Sequence, residues 1–123
     1  MKFICICYYD QAMFEALTKD DMEALRRVCE PHDKALRASG HLEFVGGLAP
    51  QEDFRVIRPS DNGPIVSKGP YMRTPEPFGA VFLINAADID EAVRIASLHP
   101  GAHVGKFLGG GIEVRPFDHS LEP

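Results

Sequence analysis

The stretch "FGAVFLINAADIDEAVRIASLHP", residues 78–100, decides the fold. Its opening residues, 78–85, are β-branched, aromatic and aliphatic enough to form a strand. Asp88 then stands three residues before Glu91, the spacing of a capping box. That spacing predicts a helix over 88–98, closed by His99-Pro100. A strand that feeds a capped helix is one half of an α+β unit, and the other half is written at the N-terminus.

There, residues 2–9 (KFICICYY) read as a strand and 11–17 as a short helical turn. Thr18 is the N-cap candidate of a long helix, with Asp20 and Asp21 in its first turn. This helix is expected to run to Ser39 and stop at Gly40, a residue suited to the position after a helix. Residues 41–48 and 53–58 read as strands, "PSDNG" at 59–63 as a hairpin turn, and 64–67 as its return strand. A glycine-rich loop, "GKFLGGG", leads to a last strand over 111–116. The order β-α-β-β-(β)-β-α-β is an α+β domain with two main helices on a mostly antiparallel sheet.

The strands at 2–9 and 78–85 are apolar at both parities, so both sheet faces call for burial. Two helices cover only one face. Leaving the other in water exposes several large side chains, at about 1.5–3 kcal/mol each. A second copy of the same sheet is the simplest cover, and the pattern therefore predicts a face-to-face homodimer.

Five of the ten prolines lie from Pro59 to Pro77. Proline fixes φ and removes a donor, so the segment 68–77 is neither ladder strand nor helix interior. It is either a stiff connector or a rim that holds side chains still.

The chain has 123 residues and reads as one domain over 1–123. A net charge of −5 leaves no footprint for nucleic acid. The apolar run before Asp10 is too short for a signal peptide, and no segment reaches the ~18 apolar residues of a membrane span. Cys5, Cys7 and Cys29 make an odd count. In a strand the first two point the same way at roughly 6.6 Å, awkward for a bridge. The expectation is a reduced, cytoplasmic protein.

His32 falls on the stripe Leu25–Val28–Cys29–Leu36 of the long helix, directly after Pro31. It reads either as a core histidine bonded to a carbonyl or as a neutral general base in a pocket. His99 ends the second helix, and His103 follows four residues on, but Pro100-Gly101 breaks the helix that would align them for a metal. No metal and no cofactor are expected. Tyr8, Tyr9 and Asp10 close the first strand, where a hydroxyl and a carboxylate suit a cavity mouth; the competing reading is aromatics capping the core.

These blocks together resemble the YCII-related family, in its branch named for an Asp-Gly-Pro-Phe motif. The resemblance is carried by "MKFICICYYD", "LRASGHL" at 36–42, "VIRP" with "DNG" at 56–63, and "KGPY" at 68–71. It continues through "DIDEAVRIASLHP" at 88–100 and "GIEVRPF" at 111–117. It implies a ferredoxin-like β-α-β-β-α-β fold with an extra hairpin, dimerising into an α+β barrel. It implies no one activity: some relatives resemble small lyases or hydrolases using a histidine and an aspartate, and others sit near sigma factors. In the motif turn Lys68 stands for the aspartate and Tyr71 for the phenylalanine, and Arg73 replaces a downstream glutamate. The electrostatics of that turn are reversed.

The resulting expectation is a homodimer with a small-molecule pocket between sheet and helices, lined by Tyr8, His32, Tyr71, His99 and Arg115. His32 or His99 would be the catalytic base of a lyase- or hydrolase-like enzyme. Tyr8, Asp10, Lys68, Tyr71, Arg73 and Arg115 would bind an anionic ligand. The alternative is a catalytically silent ligand-binding or regulatory module.

Overall fold

The computed structural model describes residues 1–121 and 123. Six strands and four α-helices follow one another as β1 (Lys2–Tyr8), α1 (Gln11–Glu15), α2 (Lys19–Ala38), β2 (Leu42–Gly47), β3 (Arg55–Arg58), β4 (Ile65–Lys68), β5 (Phe78–Asn85), α3 (Ile89–Ala96), α4 (Gly105–Leu108) and β6 (Gly111–Pro116). The main sheet is antiparallel in the order β2-β5-β1-β6. With the hairpin β3–β4 set aside, that is the ferredoxin-like arrangement.

Register assigns the two faces. Phe3, Cys5 and Cys7 of β1 lie opposite Ile84, Phe82 and Ala80 of β5, and opposite Pro116, Val114 and Ile112 of β6. Most of this face is buried under the helices, where Leu36 of α2 and Ala92, Ile95 and Ala96 of α3 complete the core. Phe3, Phe82, Leu36, Ile84 and Cys5 are fully buried, each worth about 1.5–3 kcal/mol over exposure for the larger side chains. The opposite face carries Ile4, Ile6 and Tyr8 beside Leu83, Val81 and Phe78, with Phe44 on β2 and Glu113 and Arg115 on β6. Among the described residues no helix packs on it; Ile6 is buried all the same, at 5% exposed, whereas Phe44 is 55% exposed.

Both helix starts are capped from the side chain. Thr18 and Asp21 form a full reciprocal box at 3.0 and 3.1 Å. At α3 the Asp88 carboxylate accepts from the Glu91 N–H, while Glu91 reaches back to Ala87 rather than to Asp88. Pro31 lies inside α2, which nonetheless runs unbroken to Ala38.

The segment read as a glycine-rich loop contains a surprise. Residues 105–108 form α4, although its N-cap, Val104, offers no side-chain bond. After it, Gly109 and Gly110 adopt φ of +58° and +66°, which turns the chain back into β6.

Candidate functional site

Between the C-terminal end of β1, the start of β5 and the turn after α3 lies a cavity of about 600 Å³. Its inner wall is Cys7, Ala80, His99 and Val104; its outer parts are Tyr9, Phe14, Glu15 and Glu52. The lining is mainly apolar, the usual character of a small-molecule site.

His99 is the residue the surroundings hold most tightly. It is 8% exposed and N-caps a 3-10 turn over Pro100–Ala102. Its Nδ1 accepts the Gly101 backbone N–H at 2.8 Å. Its ring lies flat on Phe82, with centroids 4.6 Å apart and planes 1° from parallel. The Cys7 Sγ approaches both ring nitrogens, at 3.8 and 4.0 Å. Burial pulls the His99 pKa below the ordinary histidine value, opposed by the charge of Asp33. The ring is therefore neutral, and because Nδ1 is an acceptor the proton sits on Nε2.

This geometry bears on the reading of His99 as a base. The lone pair a base needs is already taken by a backbone donor, so the ring acts as a hydrogen-bond donor. Cys7 is no nucleophile either, since burial, reinforced by Cys5, pushes its thiol up to about 12.

His32 sits on the inward stripe as its spacing predicts, but what it meets there is a histidine. Its ring stacks on His103 at 3.9 Å and 5°, and His103 Nε2 donates to the Ser97 carbonyl at 2.7 Å. On α2 it is Cys29, one turn earlier, that borders the cavity.

Tyr8 also borders the cavity, yet its hydroxyl donates to Glu113 on the open sheet face at 3.2 Å, beside Arg115. Arg115 pairs with Glu113 there, so neither the Tyr8 hydroxyl nor Arg115 serves the cavity. Asp10 is the N-cap of α1, accepting from Met13 N at 2.9 Å. Lys68, Tyr71 and Arg73 lie outside the cavity lining as well. Tyr71 stands under the Arg58 guanidinium at 4.2 Å and lines a second groove, of about 580 Å³, against the hairpin. Among the described residues no lysine or arginine lines the cavity.

Tyr9 takes the place expected of Tyr8. β5 bulges where Cys7 pairs with Ala80 but Tyr8 pairs with Phe78, skipping Gly79. A Cβ on Gly79 would lie 2.7 Å from the Tyr9 ring, so the missing side chain is what seats that ring. Burial and the charges of Glu52 and Glu15 push the Tyr9 phenol up.

The proline segment is a strap over this region. Its Pro75 and Pro77 carbonyls accept from Gln11 N and Tyr9 N at 2.9 and 3.2 Å. Thr74 O accepts from the buried amide of Gln51 at 3.2 Å. Gln51 also donates to Gln11 Oε1, and Gln11 donates to Glu15, which aligns a row of polar groups from the strap to the cavity rim.

Among the described residues no cluster of three or more metal-ligating side chains occurs, and no helix is long and apolar enough to cross a membrane.

The chain is similar in sequence to known proteins. An uncharacterized protein of Rhizobium meliloti (strain 1021) is 29% identical over 116 residues, covering 94% of this chain and 91% of its own. A solved structure of 5-chloro-2-hydroxyhydroquinone dehydrochlorinase from Burkholderia phenoliruptrix AC1100, in complex with 2,5-dihydroxybenzoquinone, is similar at 15% identity and a TM-score of 0.48. That similarity covers 98% of this chain and 96% of the other. The family model of the YCII-related domain matches residues 1–117, nearly the whole length, and the chain belongs to the YCII-related family.

Proposed function

We propose that this protein binds a small molecule in the cavity at the end of β1 and β5, where the ligand accepts a hydrogen bond from His99 Nε2–H, and that it does so as a homodimer joined through its open sheet faces. The observation that carries the binding reading is the neutral imidazole, its tautomer set by Gly101, on the wall of a mainly apolar cavity. A donor in such surroundings is worth more than in water, and a ligand oxygen is a stronger acceptor than the Cys7 sulfur that stands 4.0 Å from Nε2. The dimer reading rests on the open sheet face, where Phe44 is exposed and Ile4, Val81 and Leu83 are half-buried.

A lyase-like activity is the second reading, and one feature favours it: a fixed neutral donor draws charge onto a carbonyl or hydroxyl oxygen. In that reading His99 is the electrophile. No carboxylate among the described residues hydrogen-bonds it, so it has no acidic partner of the kind an acid–base dyad uses.

Calorimetry with 4-acetylbenzyl alcohol, a neutral ring bearing a ketone acceptor, tests the binding reading. His99→Phe keeps a ring on Phe82 but removes the donor, and should weaken binding about five- to tenfold. His99→Gln, which retains an N–H, should weaken it less. Equal affinity in wild type and His99→Phe would contradict the assignment.

A further inference from the structure

The cavity has a polarity along its length. His99 and Cys7 lie at its buried end, whereas Glu15 and Glu52 stand exposed at its rim. Between them come the rings of Tyr9 and Phe14, edge to face at 5.7 Å and 73°. The two carboxylates, the Tyr9 and Phe14 rings beside them and the absence of lysine or arginine among the described lining residues attract positive charge.

Glu15 is also held in place. Gln11 Nε2 donates to it at 3.0 Å, and Gln11 in turn accepts from Gln51, a side chain only 4% exposed and anchored to the proline strap. A surface carboxylate tethered in this way loses less freedom on meeting a ligand than a solvated one. Burial pushes the Tyr9 phenol up, and the negative charges of Glu52 and Glu15 add to that rise.

We infer that the ligand of this cavity is an organic amine in its cationic form: its ammonium lies at the rim between Glu15, Glu52 and the Tyr9–Phe14 pair, its apolar body fills the middle, and an acceptor oxygen meets His99 at the buried end. This rests on the cavity being the binding site and names the class of molecule it takes. The net charge of −5 favours the same sign of partner at long range.

Three probes of one skeleton test it by calorimetry: 4-acetylbenzylamine, 4-acetylbenzyl alcohol and 4-acetylbenzoate. At low salt the amine should bind about tenfold more tightly than the alcohol, and the benzoate more weakly than both. The amine-to-alcohol ratio should shrink at high salt, where the Debye length falls to ~3 Å near 1 M. In the Glu15→Gln, Glu52→Gln double variant, with folding checked by circular dichroism, that ratio should fall to about one. An amine that binds no better than the alcohol, or a ratio unchanged in the double variant, overturns the amine inference and leaves the cavity reading standing. Binding of none of the three overturns both.

Discussion

Gly110→Ala is expected to destabilise the fold severely. Gly110 has φ +66°, and a Cβ there would lie 1.9 Å from the Tyr8 carbonyl oxygen, 2.6 Å from its carbon and 2.8 Å from Tyr9 Cα. Every one of these atoms is backbone, belonging to the end of β1, which is pinned on both sides by β5 and β6. A left-handed conformation alone costs a non-glycine residue about 1–3 kcal/mol, and forced overpacking adds about as much. The sum, roughly 2–6 kcal/mol, is a large share of the ~5–15 kcal/mol that holds a domain together. Urea denaturation should show that loss or no folded state. Gly105→Ala is the control: it starts α4, no atom lies within 4 Å of its added Cβ, and its φ is ordinary. It should be neutral or slightly stabilising. A Gly110→Ala protein within about 1 kcal/mol of wild type would show that β1 and β6 meet differently.

Leu83→Asp should convert a dimer into a folded monomer. Leu83 lies between Ile4 and Phe44 on the face no helix covers, and the residues packed beneath the helices are untouched by the change. Wild type should sediment at twice the 13.6 kDa of one chain. In a two-fold interface each substitution appears twice, and burying an unpaired carboxylate costs several kcal/mol. Dimer dissociation should therefore rise by about a thousandfold or more. A wild type that is monomeric at micromolar concentration, or a Leu83→Asp that remains dimeric, contradicts the interface.

What could be read from the sequence was whatever has a local chemical signature. Thr18 with Asp21 marks a helix start because the side chain itself makes the bond, and Asn62-Gly63 marks a hairpin because the turn needs glycine, here at φ +102°. The helix α4 has neither apolar periodicity nor a capping side chain, so "GKFLGGG" reads as loop. The stiffness of the proline segment was visible, but its task was not. It holds Tyr9 and Gln11 through backbone carbonyls, and such bonds leave no trace in residue type.

The site was half legible for similar reasons. His99 was found from its place at the end of a helix, but its role depends on the Gly101 N–H, which fixes the tautomer. His32 faces inward as its spacing requires, yet only the fold decides that His103 waits there. Tyr9 rather than Tyr8 serves the cavity because alternation along the chain puts it on the side of Phe3, Cys5 and Cys7, but only the fold shows that Gly79 leaves room for its ring. Lys68 and Arg73 read as an anion site because they are two cations on one stiff segment, but neither lines the cavity.

The claim on which the account turns is that His99 offers a neutral Nε2–H to a ligand in this cavity. A long-range proton–nitrogen correlation spectrum of the imidazole rings, recorded near neutral pH with and without 4-acetylbenzyl alcohol, tests it directly. The account predicts a neutral His99 with its proton on Nε2, whose Nε2 resonance moves as the probe is added while that of His119 stays in place. A His99 carrying its proton on Nδ1, or one whose resonances ignore the probe at millimolar concentration, would contradict it.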